Sequence, residues 1–245
     1  IYSSDTDLTP FDVGAYASST TYVSGNAVLK AAKSMKTMLI EEAAHYLKVS
    51  VDEVTFDGEK FVAKDKIITL SDMANKLYYN ENQHQLTATE SYVGHKSPPP
   101  FMAGFVEIEM DTETYEYKIL HYVSVVDCGT TINPMLARGQ VEGGIVQGLG
   151  MACFEEVKYS NRGKLNSNSF LYYKIPTMLD IDKLTTEFAE SYEESGPYGA
   201  KSVGEIGIDT PPAAIANAVA NAVNIRINKL PITPEKIFQG ANQEK

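Results

Sequence analysis

The chain has 245 residues, of which 43% are hydrophobic and 22% charged, with 17 Gly and 11 Pro; this balance excludes a disordered, collagen-like or low-complexity chain. Lys and Arg number 21 against 32 Asp and Glu, a net charge of −11, which repels phosphate backbones and anionic membranes and excludes nucleic acid as the expected partner. No apolar run approaches the roughly 18 residues of a membrane span, because Asn217 and Asn221 interrupt the most apolar stretch, 213–223.

Residues 1–23 are rich in Ser, Thr and Tyr with no helical period, and are expected to be extended or loop. From Ser24 the pattern changes: Val28, Ala31, Ala32, Met35, Met38, Leu39 and Tyr46 recur at helical spacing and predict an amphipathic helix over 25–48. Residues 54–56 and 61–63 flank Asp57-Gly58, a pair that supplies the positive φ of a tight turn, so a short hairpin is expected there. Ser71 is the expected N-cap of a short helix to Tyr79. The polar stretch 80–100 ends in Pro98-Pro99-Pro100, which cannot join a ladder and marks the expected domain boundary. Two α+β units, 1–100 and 101–245, follow from that boundary. In the second, 103–110 and 115–126 alternate as two strands around a turn at 111–113. Asn133-Pro134 has the form of an N-cap followed by Pro at the first helical position, and predicts helix to Val157. A turn at 161–163, extended structure over 170–188 and an acidic loop at 190–195 come next. Asp209, with Pro211 and Pro212, opens an Ala-rich helix over 212–227. Strands and helices alternate without a strict βαβ period, which indicates an α+β fold of mixed hairpins and helices, with no internal repeat.

Two cysteines, Cys128 and Cys153, make neither a disulfide framework nor a zinc site, and His45, His84, His95 and His121 lack ligand spacing, so no metal ligand is expected from this chain. A secretory leader pattern is missing, and a cytoplasmic compartment is expected. The chain begins at Ile1 within a polar stretch and reads as a fragment, a processed chain or one piece of a larger assembly.

Three segments could carry chemistry. In 139–150, Gly139, Gly143, Gly144, Gly148 and Gly150 each cost roughly 0.5–1 kcal/mol in a helix relative to Ala. Either close packing against another element or a ligand across this face explains them, and Gln140 offers an acceptor and two donors to a polar ligand. The spacing matches neither the dinucleotide fingerprint nor the phosphate-binding loop. In 196–208, glycines recur every few residues, and Glu205 stands between Gly204 and Ile206. Its carboxylate is expected in an apolar, poorly hydrated place suited to a general base; pairing with Lys201 or plain solvation is the ordinary alternative. In 5–21, Asp5, Asp7 and the hydroxyls of Ser18, Ser19, Thr20 and Thr21 suit a polar ligand, but an ordinary exposed strand or turn is the first expectation.

These segments, in this order, resemble the second molybdopterin-binding half of the large subunit of the xanthine oxidase/aldehyde oxidoreductase family of molybdenum hydroxylases. The similarity runs from Asp5-Thr6-Asp7 and Gly25, through Asp127-Cys128-Gly129, Ile132-Asn133-Pro134 and Gly139-Gln140-Val141-Glu142-Gly143-Gly144, to 199–205. A chain of this size looks most like the medium molybdopterin subunit of bacterial split-subunit enzymes such as nicotinate dehydrogenase. The resemblance implies that Glu205 is the active-site base, taking a proton as an oxygen derived from water attacks an electron-poor carbon of an N-heteroaromatic or an aldehyde. It implies that Gln140 and Ala17, Ser18, Ser19 and Thr20 contact the pterin, and that Lys201, Ser202, Val203 and Gly204 lie beside the metal. Asn133 is read either as a helix cap or as a cofactor contact. The implied cofactor is molybdenum-molybdopterin, as the cytosine dinucleotide, held by the pterin dithiolene. The implied partners are a larger molybdopterin subunit, an iron–sulfur subunit and an FAD subunit, with a small-molecule substrate and no membrane. Ile206 departs from the family's small residue or Pro after the glutamate. The first molybdenum-binding half is absent, so the chain is expected to be inactive alone; a non-catalytic scaffold of the same domain is the alternative.

Overall fold

The helical period at 25–48 is realised as α1 (Gly25–Leu47) in a computed structural model of the chain, which describes residues 1–2, 5–79 and 83–243. Residues 3 and 4 of the amino-terminal segment and 80–82 of the polar stretch lie outside the described residues. α1 ends where Lys48 turns left-handed (φ 53°), and Lys66 Nζ sits 2.6 Å from the Leu47 carbonyl, a cation at the negative end of the helix dipole. The hairpin around Asp57-Gly58 forms as β1 (Thr55–Phe56) and β2 (Lys60–Ala63), with the Asp57 carboxylate accepting the N–H groups of Glu59 and Lys60 at 3.0 Å. A third strand, β3 (Lys66–Thr69), pairs antiparallel with β2 and was not expected. α2 (Leu70–Tyr79) is capped by Thr69 rather than Ser71: Thr69 Oγ1 accepts the Asp72 N–H at 3.0 Å and donates to Asp72 Oδ2 at 2.7 Å. This reciprocal cap satisfies an orphan N–H that Ser71, already helical, does not reach. Phe61 and Met73 are fully buried between this sheet and the two helices, and the rings of Phe56 and Phe61 stack at 4.4 Å.

The second sheet consists of β4 (Phe101–Met110), β5 (Tyr117–Asp127) and β6 (Leu184–Phe188). β4 and β5 pair antiparallel with a bulge between Glu107 and Ile108, and the Asp111 carboxylate accepts N–H groups of Glu113 and Thr114 in the connecting turn. β6 pairs parallel with β5. Of the expected extended run 170–188, only this stretch is strand; most of 170–180 is turns, held by bonds such as Thr177 to Asp180. Helix α3 (Pro134–Cys153) starts as expected, with Asn133 Oδ1 accepting the Leu136 N–H at 3.1 Å, but stops before Val157, where the N–H groups of Phe154 and Glu155 both fold back to Gly150. The short α4 (Ile206–Asp209) was not expected. α5 (Pro211–Val223) begins after Thr210, not Asp209, and closes at left-handed Asn224, short of residue 227. α6 (Pro234–Gln243) was also unforeseen. Ile145, Leu149, Ile215, Val219, Ile232 and Ile237 are fully buried against Tyr122 and Val126 of the sheet, and each large aliphatic side chain so removed from water stabilises by roughly 1.5–3 kcal/mol.

The fold is α+β, as expected, but the chain divides differently from 1–100 and 101–245. One unit is Val23–His95; the other is Ile1–Tyr22 with Lys96–Lys245. The first 22 residues belong with the carboxy-terminal part because their hydrogen bonds go there: the Tyr22 N–H donates to Ser202 Oγ at 3.1 Å and the Tyr22 hydroxyl to Ser195 at 2.8 Å. Among the described residues, no helix is long and apolar enough to cross a membrane.

Candidate functional site

Three segments of the larger unit converge on a cleft of about 530 Å³. The first is the junction after β5. Gly129 and Ala200 form a bridge, the Lys201 N–H donates to the Cys128 carbonyl at 2.8 Å, and the Thr130 N–H donates to Gly199 at 2.8 Å. Lys201 Nζ lies 2.7 Å from Asp127 Oδ2 and 5.3 Å from the centre of the Phe101 ring. Burial opposes ionisation of Asp127, but bonds from Lys201, the Ser191 hydroxyl and the Gly129 N–H outweigh it and hold its carboxyl below the usual carboxylate range. The ammonium is thereby committed to lacing two loops together.

The second segment is the start of α3. Asn133 caps it, and Gln140, two turns on, donates from Nε2 to the Gly204 carbonyl at 2.6 Å. The glycines of this helix separate into two kinds. A Cβ on Gly144 would stand 3.0 Å from Gly207 Cα, and one on Gly148 would stand 2.8 Å from the Ile208 carbonyl, so these two let α3 and α4 touch backbone to backbone. Gly139 and Gly143 have nothing within 4 Å. Close packing accounts for the first kind and leaves the second open.

The third segment is amino-terminal. Ala17 (φ 48°) and Ser18 (φ 54°) are both left-handed, which costs on the order of 1 kcal/mol each for residues with a Cβ. The Ser19 N–H closes this turn onto the Tyr16 carbonyl at 3.0 Å, and Ser18 reaches Glu205. Asp5 does not join the cleft lining; its carboxylate accepts the N–H groups of Asp7 and Leu8 in a local turn.

The residues to which the resemblance assigns a role line this cleft: Ala17, Ser18, Ser19 and Thr20 on one side, Asn133 and Gln140 on another, and Lys201, Ser202, Val203, Gly204 and Glu205 on the third; Asp7 and the glycines of 139–150 do not. Cys128 and Ile132, quoted within the Asp127-Cys128-Gly129 and Ile132-Asn133-Pro134 motifs without a role, line it too, as do Thr130, Thr131, Leu136 and Ala137, which flank those motifs and were not singled out. One expectation is corrected in favour of its ordinary alternative, plain solvation. Glu205 is exposed rather than poorly hydrated, because α4 starts at Ile206 and the helical turn carries the flanking Ile206 towards the core while the carboxylate points into the open cleft. Nor does it pair with Lys201, whose partner is Asp127. Among the described residues, no three His, Cys, Asp or Glu side chains gather as a metal site. A second cavity, about 730 Å³, opens at the other end of the β4–β5 hairpin beside Tyr117, Asp180 and Cys153 and holds none of the singled-out residues; burial pushes the Cys153 thiol up to about 11.

A family model described as the molybdopterin cofactor-binding domain matches residues 1–182. The xanthine dehydrogenase molybdenum-binding subunit of Escherichia coli O157:H7 is 37% identical over 245 residues, covering 98% of this chain and 33% of that protein. The 6-hydroxypseudooxynicotine dehydrogenase complex subunit gamma of Paenarthrobacter nicotinovorans is 34% identical, covering 99% of this chain and 32% of its own length. The crystal structure of quinoline 2-oxidoreductase from Pseudomonas putida 86 superimposes with a TM-score of 0.87 at 27% identity, over 97% of this chain and 32% of that one. The chain thus spans about a third of the length of the curated relatives it matches.

Proposed function

Because the chain belongs to the molybdopterin cofactor-binding domain family, within the xanthine dehydrogenase group, we propose that its cleft is one wall of the cofactor site of a molybdenum hydroxylase, with Glu205 as the general base. The observation that carries this reading is the convergence of Ser18, Gln140 and Glu205, from three distant parts of the chain, on one cleft. The donor set supports an organic cofactor: hydroxyls of Ser19 and Thr20, the amides of Asn133 and Gln140, and backbone groups of 201–204 match the ring nitrogens, carbonyl and amine of a pterin. When bound, the molybdenum centre supplies two-electron chemistry that transfers an oxygen taken from water to an electron-poor carbon.

This chain's own part in that reaction is to hold and to accept a proton. Oε2 of Glu205 accepts the Ser18 hydroxyl at 3.0 Å, and Oε1 is the oxygen that takes the proton. Ile132, Leu136, Ala137 and Val203 form the apolar part of the lining; with the cleft closed by its occupants they exclude water from around the carboxylate, which strengthens every polar interaction there. An N-heteroaromatic or aldehyde substrate, the cytosine dinucleotide form of the pterin, and assembly with a larger molybdopterin subunit, an iron–sulfur subunit and an FAD subunit complete the reading. It is supported by relatives named as subunits and as oxidoreductases of quinoline and hydroxypseudooxynicotine.

The test is Glu205→Gln in the assembled enzyme. Turnover falls by about 10²–10⁴-fold while molybdenum and pterin content stay at the level of the unmodified enzyme. Near-normal kcat with intact cofactor content refutes the assignment and leaves the domain a scaffolding role.

A further inference from the structure

Ser18 makes two hydrogen bonds to a single residue. Its Oγ accepts the backbone N–H of Glu205 at 2.9 Å and donates to Oε2 of the same residue at 3.0 Å. A hydroxyl has one proton to give, so the arrangement uses it on the carboxylate and a lone pair on the amide. Gly204 lets Ser18 come this close: a Cβ there would stand 3.1 Å from Ser18 Cα and 3.2 Å from its Oγ. The left-handed backbone at Ala17 and Ser18, unfavourable for both residues, aims the hydroxyl at the glutamate. An exposed glutamate has several rotamers to choose among, and the hydrogen bond from Ser18 Oγ to Oε2, on a hydroxyl anchored by the Glu205 N–H, selects one of them.

We propose that Ser18 is a positioning residue for Glu205, orienting its carboxylate within the cleft. This rests on the reading of Glu205 as the base and extends it to a residue in the amino-terminal segment. A base must lie within hydrogen-bond reach of the proton it removes, and a misplacement of about 1 Å costs as much as 10²-fold in rate.

Ser18→Gly and Ser18→Ala both remove the hydroxyl, while Gly also relieves the left-handed backbone and so keeps the turn folded. In the assembled enzyme each variant lowers kcat by about 10-fold or more, with KM and molybdenum content unchanged. In the same preparation, exchange of the Glu205 amide proton accelerates by about 10-fold or more, since its acceptor is gone. In a Glu205→Gln background, Ser18→Gly causes no further loss, as expected for a residue acting through the carboxylate. Full activity of Ser18→Gly, unchanged amide exchange, or loss of cofactor in step with activity overturns the positioning role while leaving the base assignment standing. Retained activity in Glu205→Gln alone overturns the base assignment instead.

Discussion

The two halves of α3 share a helix and a composition but have opposite surroundings. From Val141 to Cys153 the helix is mostly buried, with Val141, Ile145 and Leu149 fully enclosed and Gly144 and Gly148 pressed against α4 and Pro211. From Pro134 to Gln140 it is exposed: Met135 retains 77% and Leu136 66% of its accessibility, and Gly139 has open space around it. A helix apolar on all sides is ordinarily buried on all sides. Here the enclosed half is explained by this chain's own core, and the open half, with Leu136 and Gln140, forms a wall of the cleft. Glycines in one helix therefore have two physical causes, and the neighbours of each Cβ position separate them.

Substitutions along this boundary break or sharpen the contrast. Gly148→Val in the enclosed half forces a side chain into the Ile208 carbonyl and the Pro211 ring; about 3 kcal/mol of overpacking lowers Tm by roughly 6–12 °C, read by thermal denaturation. Asp127→Ala, at the foot of the cleft, strands the Lys201 ammonium, whose side chain is only 11% exposed, and costs about 2 kcal/mol in denaturant unfolding. The same pair has a pH signature. Because the folded-state carboxyl of Asp127 titrates below its unfolded value, near 3.9, the unfolded chain takes up the proton first. The stabilisation is complete above about pH 4 and disappears as pH falls through the lowered folded value. A stability–pH curve of the Asp127→Ala variant lacks that part of the acid loss. Asn133→Ala removes the α3 cap and costs about 1 kcal/mol. Gly143→Ala, with nothing within 4 Å, stabilises the chain by about 0.5–1 kcal/mol. A Gly143→Ala penalty as large as that of Gly148→Val would erase the distinction between the two kinds of glycine.

What could be read along the chain was whatever closes within a few residues. The period of α1, the Asp57-Gly58 and Asp111 turns, and the Asn133-Pro134 start are satisfied by hydrogen bonds to near neighbours. The misassigned parts depend on distant partners or small local choices. β6 is a strand because β5 lies beside it, and the flanking 170–180 lacks such a neighbour. Thr69 rather than Ser71 caps α2 because β3 delivers it in extended geometry. The site followed the same division: the segments that line the cleft were legible as a resemblance in order along the chain, whereas the choice between a poorly hydrated and a solvated Glu205 was left open, because its neighbours in sequence are not its neighbours in space.

Composition, period and turn chemistry by themselves determined an acidic chain of α+β fold and the starts of α1 and α3, since those depend on local geometry and residue type, while the residues of the cleft came from the resemblance in order along the chain. Only the tertiary structure decided that the first 22 residues fold with the carboxy-terminal unit, that Lys201 is committed to Asp127, and that Ser18 holds a glutamate 187 positions away. The physical reason is that closing a long loop carries an entropic cost growing only slowly with its length, so pairings across the chain are chosen by the packing they permit, which no local pattern records.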